Sequence, residues 1–531
     1  MTPVPSKIMT AEAAVADIPD RATIASVGVI GWVTPDACLG ALGERFRTTQ
    51  HPQDLTVYLP VGTGDAVEIK GMDHLAQEGL LKRIVSGSFI NPVDPKTGKR
   101  PELMRLIREN KIEAYSWPIG ASMHWLREVA RKSPGYLTKI GLGTYADPAN
   151  GGGKFTSRAT EDLIRKITFE GEEYLFYPTW PLQVAFIRAS TADEFGNLSW
   201  EDEALISSSI ALAIATKACG GRVIAQVRRV VPRGERPAGQ VRLPGVVVDA
   251  VVVDPVQMMV SDTPFDSDYL GGKSMADILP KLPCMSFGAD KIVAWRAAQE
   301  VRIQELSILG FGASSDMPLV MAESGLMHAA NARDFLFTTE HGSFGGVVMG
   351  GWQFSANINP EALIDGVTQF DLIDGGLCPF TALAFAEFDA AGMVNVSRFG
   401  SANPGAGGFI DIAHNARRLV FCGTFTTGGL EVALEEGRLR IVREGRQRKF
   451  VGRAAHITYR VMEGVARRGQ EALIITERAV FRVEADGLVL IEMAPGIDLQ
   501  KDILAQMDFA PVRIAADCRP MDFTFFTQGK P

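Results

Sequence analysis

The chain has 531 residues, 46% of them hydrophobic and 22% charged, with 54 basic and 62 acidic side chains for a formal net charge of −8. That length suits two large domains or three ordinary ones. The acidic balance argues against a nucleic-acid binder, which needs a basic face. The six cysteines (Cys38, Cys219, Cys284, Cys378, Cys422 and Cys518) form no C-x-x-C pair and no Cys/His cluster with zinc spacing. They read as free thiols in a reducing compartment, and no metal site is expected.

Residues 1–20 lack a basic start followed by an apolar run, so no secretory signal is read there. Short β-branched runs then alternate with helical patterns: 23–30, 55–59, 222–231, 246–253, 418–424 and 472–475 read as strands. The longest apolar run, 246–260, is broken by Asp249 and Asp254 and is too short to span a bilayer. A cytoplasmic protein with no membrane partner is expected. Several strands are continuously apolar, which fits parallel strands buried on both faces. The fold class expected is α/β, as two related open domains with largely parallel sheets covered by helices.

The relation between the domains rests on a weak duplication. Residues 193–199 (Asp-Glu-Phe-Gly-Asn-Leu-Ser) resemble residues 389–395 (Asp-Ala-Ala-Gly-Met-Val-Asn). Each Asp-x-x-Gly follows an apolar strand and suits a tight hairpin turn. A helix and a strand follow in both copies, at 204–218 and 223–231, then at 410–417 and 419–424. The turn-rich, poorly periodic stretch 264–288 is read as the boundary, dividing an N-terminal domain, 1–287, from a C-terminal domain, 288–531. A long surface excursion inside one domain is the alternative. A helix opens near Ala289, where Ile292, Trp295, Ala298 and Val301 recur at helical spacing.

The densest chemical signal lies beyond that boundary. A short strand, 306–309, runs into Gly310-Phe311-Gly312-Ala313-Ser314-Ser315-Asp316, and Pro318 opens a helix read as 318–330. The glycines let a ligand approach the backbone, although a plain turn explains Gly310 and Gly312 as well. The apolar strand 335–339 ends in Glu340, followed by glycines at 342, 345 and 346. Ligands of open α/β sheets bind beyond the C-terminal ends of strands; read alone, Glu340 also fits a solvated loop. A third glycine-marked crossing spans 400–411 and includes Gly405, Gly407 and Gly408. Its N–H groups suit an anion nest or oxyanion hole, with a flexible loop as the plainer reading.

Taken together, these residues resemble the acetate/propionate (short-chain acyl) CoA-transferases of the glutamate-nucleophile type. The resemblance runs through Glu340-His341-Gly342-Ser343-Phe344-Gly345-Gly346, residues 364–376 and 394–400, Gly407-Gly408-Phe409-Ile410-Asp411-Ile412, and 420–425. It continues in the first half at 73–83, 141–153 and 171–175, and in the tail at 494–499. It covers roughly residues 20–515. It implies two α/β domains, homo-oligomers (dimer or tetramer), and a nucleophilic glutamate a helix and a strand beyond the Gly310–Gly312 turn. Glu340 holds that place. Glu323, in a local Glu-Ser-Gly, lies inside the helix read there and has no glycine pair after it.

The activity implied moves coenzyme A from an acyl-CoA to a small carboxylate, with coenzyme A as substrate and no permanently bound cofactor. A glutamate side chain is ionised at neutral pH unless burial intervenes, so no activating triad is sought. By resemblance, an acyl-glutamyl anhydride and then a glutamyl-CoA thioester form on Glu340, giving ping-pong kinetics. Backbone N–H groups near Gly407 and Gly408 are candidate oxyanion donors, with Asn395 as a side-chain donor by resemblance; Gly310, Gly312 and Gly405 would help seat coenzyme A. Two positions depart from the family pattern: His341, where Ser or Asn is common, is read as packing in preference to contacting substrate, and Ile119 replaces a loop glutamine. An acyl-CoA hydrolase on the same scaffold is the alternative function, and a non-catalytic binding subunit a remoter one.

Overall fold

The computed structural model describes residues 6–527 except 66, 90–96 and 99. Two large sheets dominate. Nine strands form the first, in the order Ile8–Met9, Ala250–Val253, Arg222–Val231, Val184–Asp193, Thr23–Ser26, Leu55–Leu59, Leu81–Ser86 and Glu113–Ser116, with Leu198–Ser199 paired on Val184–Asp193. Apart from that short hairpin strand, the pairings are parallel. Every residue of Val184–Asp193 is buried, as expected for a central strand with both faces covered.

The second sheet has ten strands, and its parallel centre runs Glu471–Ile475, Arg418–Cys422, Phe380–Ala384, Leu306–Leu309 and Leu336–Thr338. Numbered along the chain, these five strands stand in the spatial order 5-4-3-1-2. The five central strands of the first sheet, from Ala250–Val253 to Leu55–Leu59, stand in the same order. The duplication seen in the sequence is therefore a repeated topology. Its hairpins repeat to the level of single bonds. Asp193 Oδ1 accepts from the N–H groups of Phe195 (3.0 Å) and Asn197 (2.9 Å), and Asp389 Oδ1 accepts from Ala391 (3.0 Å) and Met393 (2.9 Å). Gly196 and Gly392 take the left-handed backbone the turn requires, at φ +88° and +75°.

Several predicted elements are shorter than their patterns, three of them for evident local reasons. The run 246–253 splits into a 3-10 turn, Gly245–Val247, and a strand, Ala250–Val253. The helix expected over 204–218 begins at Ser209, because Ser207 is left-handed (φ +50°). The helix expected over 318–330 is Met317–Glu323 and stops before Gly325 (φ +77°).

The two halves are stitched along the C-terminal strand ends of the first sheet. Phe89 N–H donates to Pro404 O (2.7 Å), Gly407 N–H to Gly87 O (3.1 Å), and Ile119 N–H to Gly407 O (3.1 Å). Trp32 Nε1 donates to Phe354 O at 2.9 Å. One apolar core cluster contains residues of both sheets.

A buried ion pair braces this seam from the first half. Arg188 and Glu203 are each 1% exposed, with Nε–Oε1 at 2.9 Å and Nη2–Oε2 at 3.1 Å. Arg188 Nη1 also donates to Thr34 O (3.3 Å), and Gln257 Nε2 to Glu203 Oε1 (3.0 Å). Thr34 closes a loop in which the β-branched Ile30 and Val33 are held at φ +55° and +45°, an unfavourable conformation that the surroundings must impose. Removing one partner of such a pair leaves a bare buried charge. Glu203→Ala is therefore expected to lose about 3–5 kcal/mol of stability in chemical denaturation; a loss below about 1 kcal/mol would show that the pair does not brace the loop.

Candidate active site

Between the halves lies a cavity of about 610 Å3. Val29, Ile30, Val61 and Phe89 form its first-half wall, and Phe311, Leu383, Phe385 and Phe399 its second-half wall. Glu340, His341, Gly407 and Gly408 line it together.

Glu340 arrives there because the strand Leu336–Thr338 ends in a turn clamped from several sides. Thr338 Oγ1 donates to Ser343 O (2.8 Å), Thr339 Oγ1 to Ser355 O (2.7 Å), Gln369 Nε2 to Thr339 O (2.7 Å), and Asn357 Nδ2 to Gly345 O (2.7 Å). Gly342 has φ +89°, and a Cβ there would run into the Ile364 carbonyl. The glycines after Glu340 thus reverse the chain and hold the carboxylate at the cavity, where its side chain is 15% exposed.

The carboxylate is bracketed. His341 Nε2 stands 3.4 Å from Oε1. On the other side a Cβ at Gly408 would lie 2.6 Å from Oε2, so only a glycine lets the backbone come this close. Gly408 has an ordinary φ of −82°; space, not conformation, requires glycine.

Of the other predicted site residues, Gly310 and Gly405 also line the cavity. Gly310 N–H donates to Ala382 O (2.8 Å), and Gly405 N–H to Ser397 O (3.1 Å). At Gly405 (φ +77°) a Cβ would lie 2.7 Å from Ser116 Oγ. Gly312 is not on the wall; its carbonyl caps the next turn by accepting from Ser315 N–H (2.9 Å). Two expected oxyanion donors have other partners in this structure. Gly407 N–H is engaged by Gly87 O. Asn395 is fully buried, and its amide donates to Glu387 Oε2 and Arg398 O, both at 2.7 Å, which fixes the loop instead of facing the cavity. Ile119 is also buried off the wall, where its N–H secures Gly407. Glu323 Oε1 is bonded to Lys291 Nζ at 2.7 Å, outside the cavity.

The sequence reading assigned no role to a cluster of titratable residues near the carboxylate. Asp411, one helical turn past Gly408, is buried and accepts from Gly120 N–H (3.2 Å). Burial, then the nearby Asp374, pushes its carboxyl well above the usual carboxylate range, with a smaller contribution from Glu340. Burial also raises Asp374, while His124, whose Nε2 lies 2.9 Å away, pulls it down. His124 and Asp374 are 250 residues apart and join the halves; no local motif marks such a pair.

Comparisons with known proteins show what the whole chain is similar to. A family model described as coenzyme A transferase matches residues 8–254. The chain is 38% identical over 520 residues to the acetate CoA-transferase YdiF of Escherichia coli K12, covering 98% of this chain and 95% of that protein. It is 37% identical to the caffeate CoA-transferase of Acetobacterium woodii, covering 98% of each. The crystal structure of the acyl-CoA transferase YdiF from Escherichia coli O157:H7, as a thioester complex with CoA, superposes with a TM-score of 0.88 at 37% identity, covering 98% of this chain and 96% of that one.

Two outcomes follow from the bracket and the buried cluster. Gly408→Ala should displace the Glu340 carboxylate and cut turnover by about 10²-fold with little change in melting temperature; unchanged turnover would mean that the close approach is not needed. Asp411 has a folded-state value above its unfolded one, so the stability it contributes is complete below about pH 4 and is lost as pH rises through the raised value. The melting temperature of Asp411→Asn should therefore gain on that of the native protein as pH increases from 5 to 8, and a pH-independent difference would contradict this.

Proposed function

The chain belongs to the acetate/short-chain acyl CoA-transferase family and is an acyl-CoA:carboxylate CoA-transferase, and on that premise we propose that Glu340 is its nucleophile and that coenzyme A passes through a glutamyl-CoA thioester. The observation that carries this reading is the bracketed carboxylate at the cavity between the halves. In the first half-reaction Glu340 attacks the thioester carbonyl of the acyl-CoA and the CoA thiolate leaves, giving an acyl-glutamyl anhydride. The thiolate then attacks Cδ of Glu340, expelling the acyl group as a free carboxylate and leaving glutamyl-CoA. The second acid reverses these steps. Holding thioester and carboxylate together in one enclosed site supplies the effective concentration that free solution lacks.

Gly408 N–H is our candidate backbone donor to the oxyanions. Gly310 and Gly405 would let the pantetheine arm lie against backbone. The apolar walls favour acyl groups that bury carbon over ones carrying a second charge. The proposal extends to a division of the chain at 287/288, just before the helix Ala289–Ala298, and to a cytoplasmic homo-oligomer, dimer or tetramer, as the family resemblance implies. Among the described residues no helix is long and apolar enough to cross a membrane.

Initial rates with varied acyl-CoA and acid should give parallel double-reciprocal lines. Glu340→Gln should lower CoA transfer by roughly 10³-fold or more, while Glu323→Gln keeps it within a few-fold. Release of free CoA should depend on added carboxylate. Rapid thiol release without an acceptor would favour the hydrolase, and native rates in a folded Glu340→Gln would overturn the assignment.

A further inference from the structure

We propose that His341 is a second catalytic residue, whose Nε2–H holds the oxyanion that forms on Glu340 when its own carbonyl is attacked. This rests on the reading of Glu340 as nucleophile. His341 follows Glu340 directly, lines the same cavity and is 1% exposed, with Nε2 at 3.4 Å from Glu340 Oε1. Its other nitrogen, Nδ1, is buried and has no hydrogen-bond partner among the described residues.

Those facts favour one tautomer. An ionised carboxylate only accepts hydrogen bonds, so the nitrogen facing it carries the proton. A proton on Nδ1 would leave a buried donor unmet and turn the Nε2 lone pair toward the carboxylate. His341 thus presents Nε2–H on the Oε1 side of the carboxylate, at a separation longer than that of a formed hydrogen bond.

The donor matters most where charge develops. In glutamyl-CoA, Oε1 is a neutral carbonyl oxygen. When the acceptor acid attacks Cδ, a C–O bond forms and the π pair moves onto Oε1, beside His341 Nε2–H. Collapse restores the C=O bond, breaks the Cδ–S bond and releases CoA as the thiolate, leaving the mixed anhydride. The same oxyanion arises when the thiolate attacks the anhydride at Cδ. His341 keeps its proton throughout. Its bond to Oε1 is stronger in the tetrahedral state than in the neutral thioester, which is the condition for catalysis. The 3.4 Å separation suits a contact that tightens as charge grows.

The test uses the full-length protein loaded with CoA by an acyl-CoA, freed of small molecules, and mixed with acceptor acid. The discharge of the glutamyl thioester is followed by quenched intact-mass measurement. His341→Phe fills the space without a donor and should slow discharge about 10²–10³-fold, with the acyl-CoA KM changed less than about threefold. His341→Gln restores a donor near the Nε2 position and should recover the rate to within about tenfold of native; His341→Ala serves as a second donor-free variant if the phenylalanine does not fold. Native-like discharge in a donor-free variant, or a glutamine variant as slow as the donor-free ones, would overturn the role of His341 while leaving Glu340 in place. A native enzyme that forms no adduct would remove both.

Discussion

The close approach of the Gly408 backbone to the Glu340 carboxylate is the constraint on which the site depends. Neither residue reaches that position alone. Glu340 is delivered by a strand end of the second sheet and a turn closed by glycines. Gly408 is delivered by a loop that the first half holds through Gly87, Phe89 and Ile119. The geometry around Glu340 is therefore a property of the seam, set by the backbone bonds across it. Bonds of this kind tolerate side-chain variation: at Ile119 it is the backbone N–H that makes the contact.

Charge is arranged in tiers around that seam. Arg188 and Glu203 neutralise each other deep in the first half and hold the carbonyl of Thr34, steadying the strained loop that supplies Val29 and Ile30 to the wall. His124 and Asp374 join the halves near Asp411. Burial, then Asp374, pushes Asp411 toward its neutral form, because like charges held close disfavour double ionisation.

Much of this was legible in the sequence where the signal was local. The strand 306–309 was placed to the residue, and the crossing at 335–346 was found from an apolar run ending in a carboxylate among glycines. The Asp-x-x-Gly pair at 193 and 389 revealed the repeated topology, because an aspartate that accepts two backbone N–H groups needs that spacing and a left-handed glycine. Helix ends were less legible: the apolar pattern beyond Glu323 continues, but Gly325, left-handed at φ +77°, follows the last helical turn. Asn395 was assigned a donor role by resemblance, yet its amide is engaged within its own loop. His124, Asp374 and Gly120 carry no local signature, since their roles arise from contacts across hundreds of residues.

One covalent bond decides the matter: that between Glu340 Cδ and the sulfur of coenzyme A. Incubation with an acyl-CoA, borohydride reduction and peptide-level mass spectrometry locate it directly. A reduced glutamyl side chain at position 340, dependent on acyl-CoA, is the expected result. Modification confined to Glu323 or any other carboxylate, with position 340 unaltered in turning-over enzyme, would contradict it.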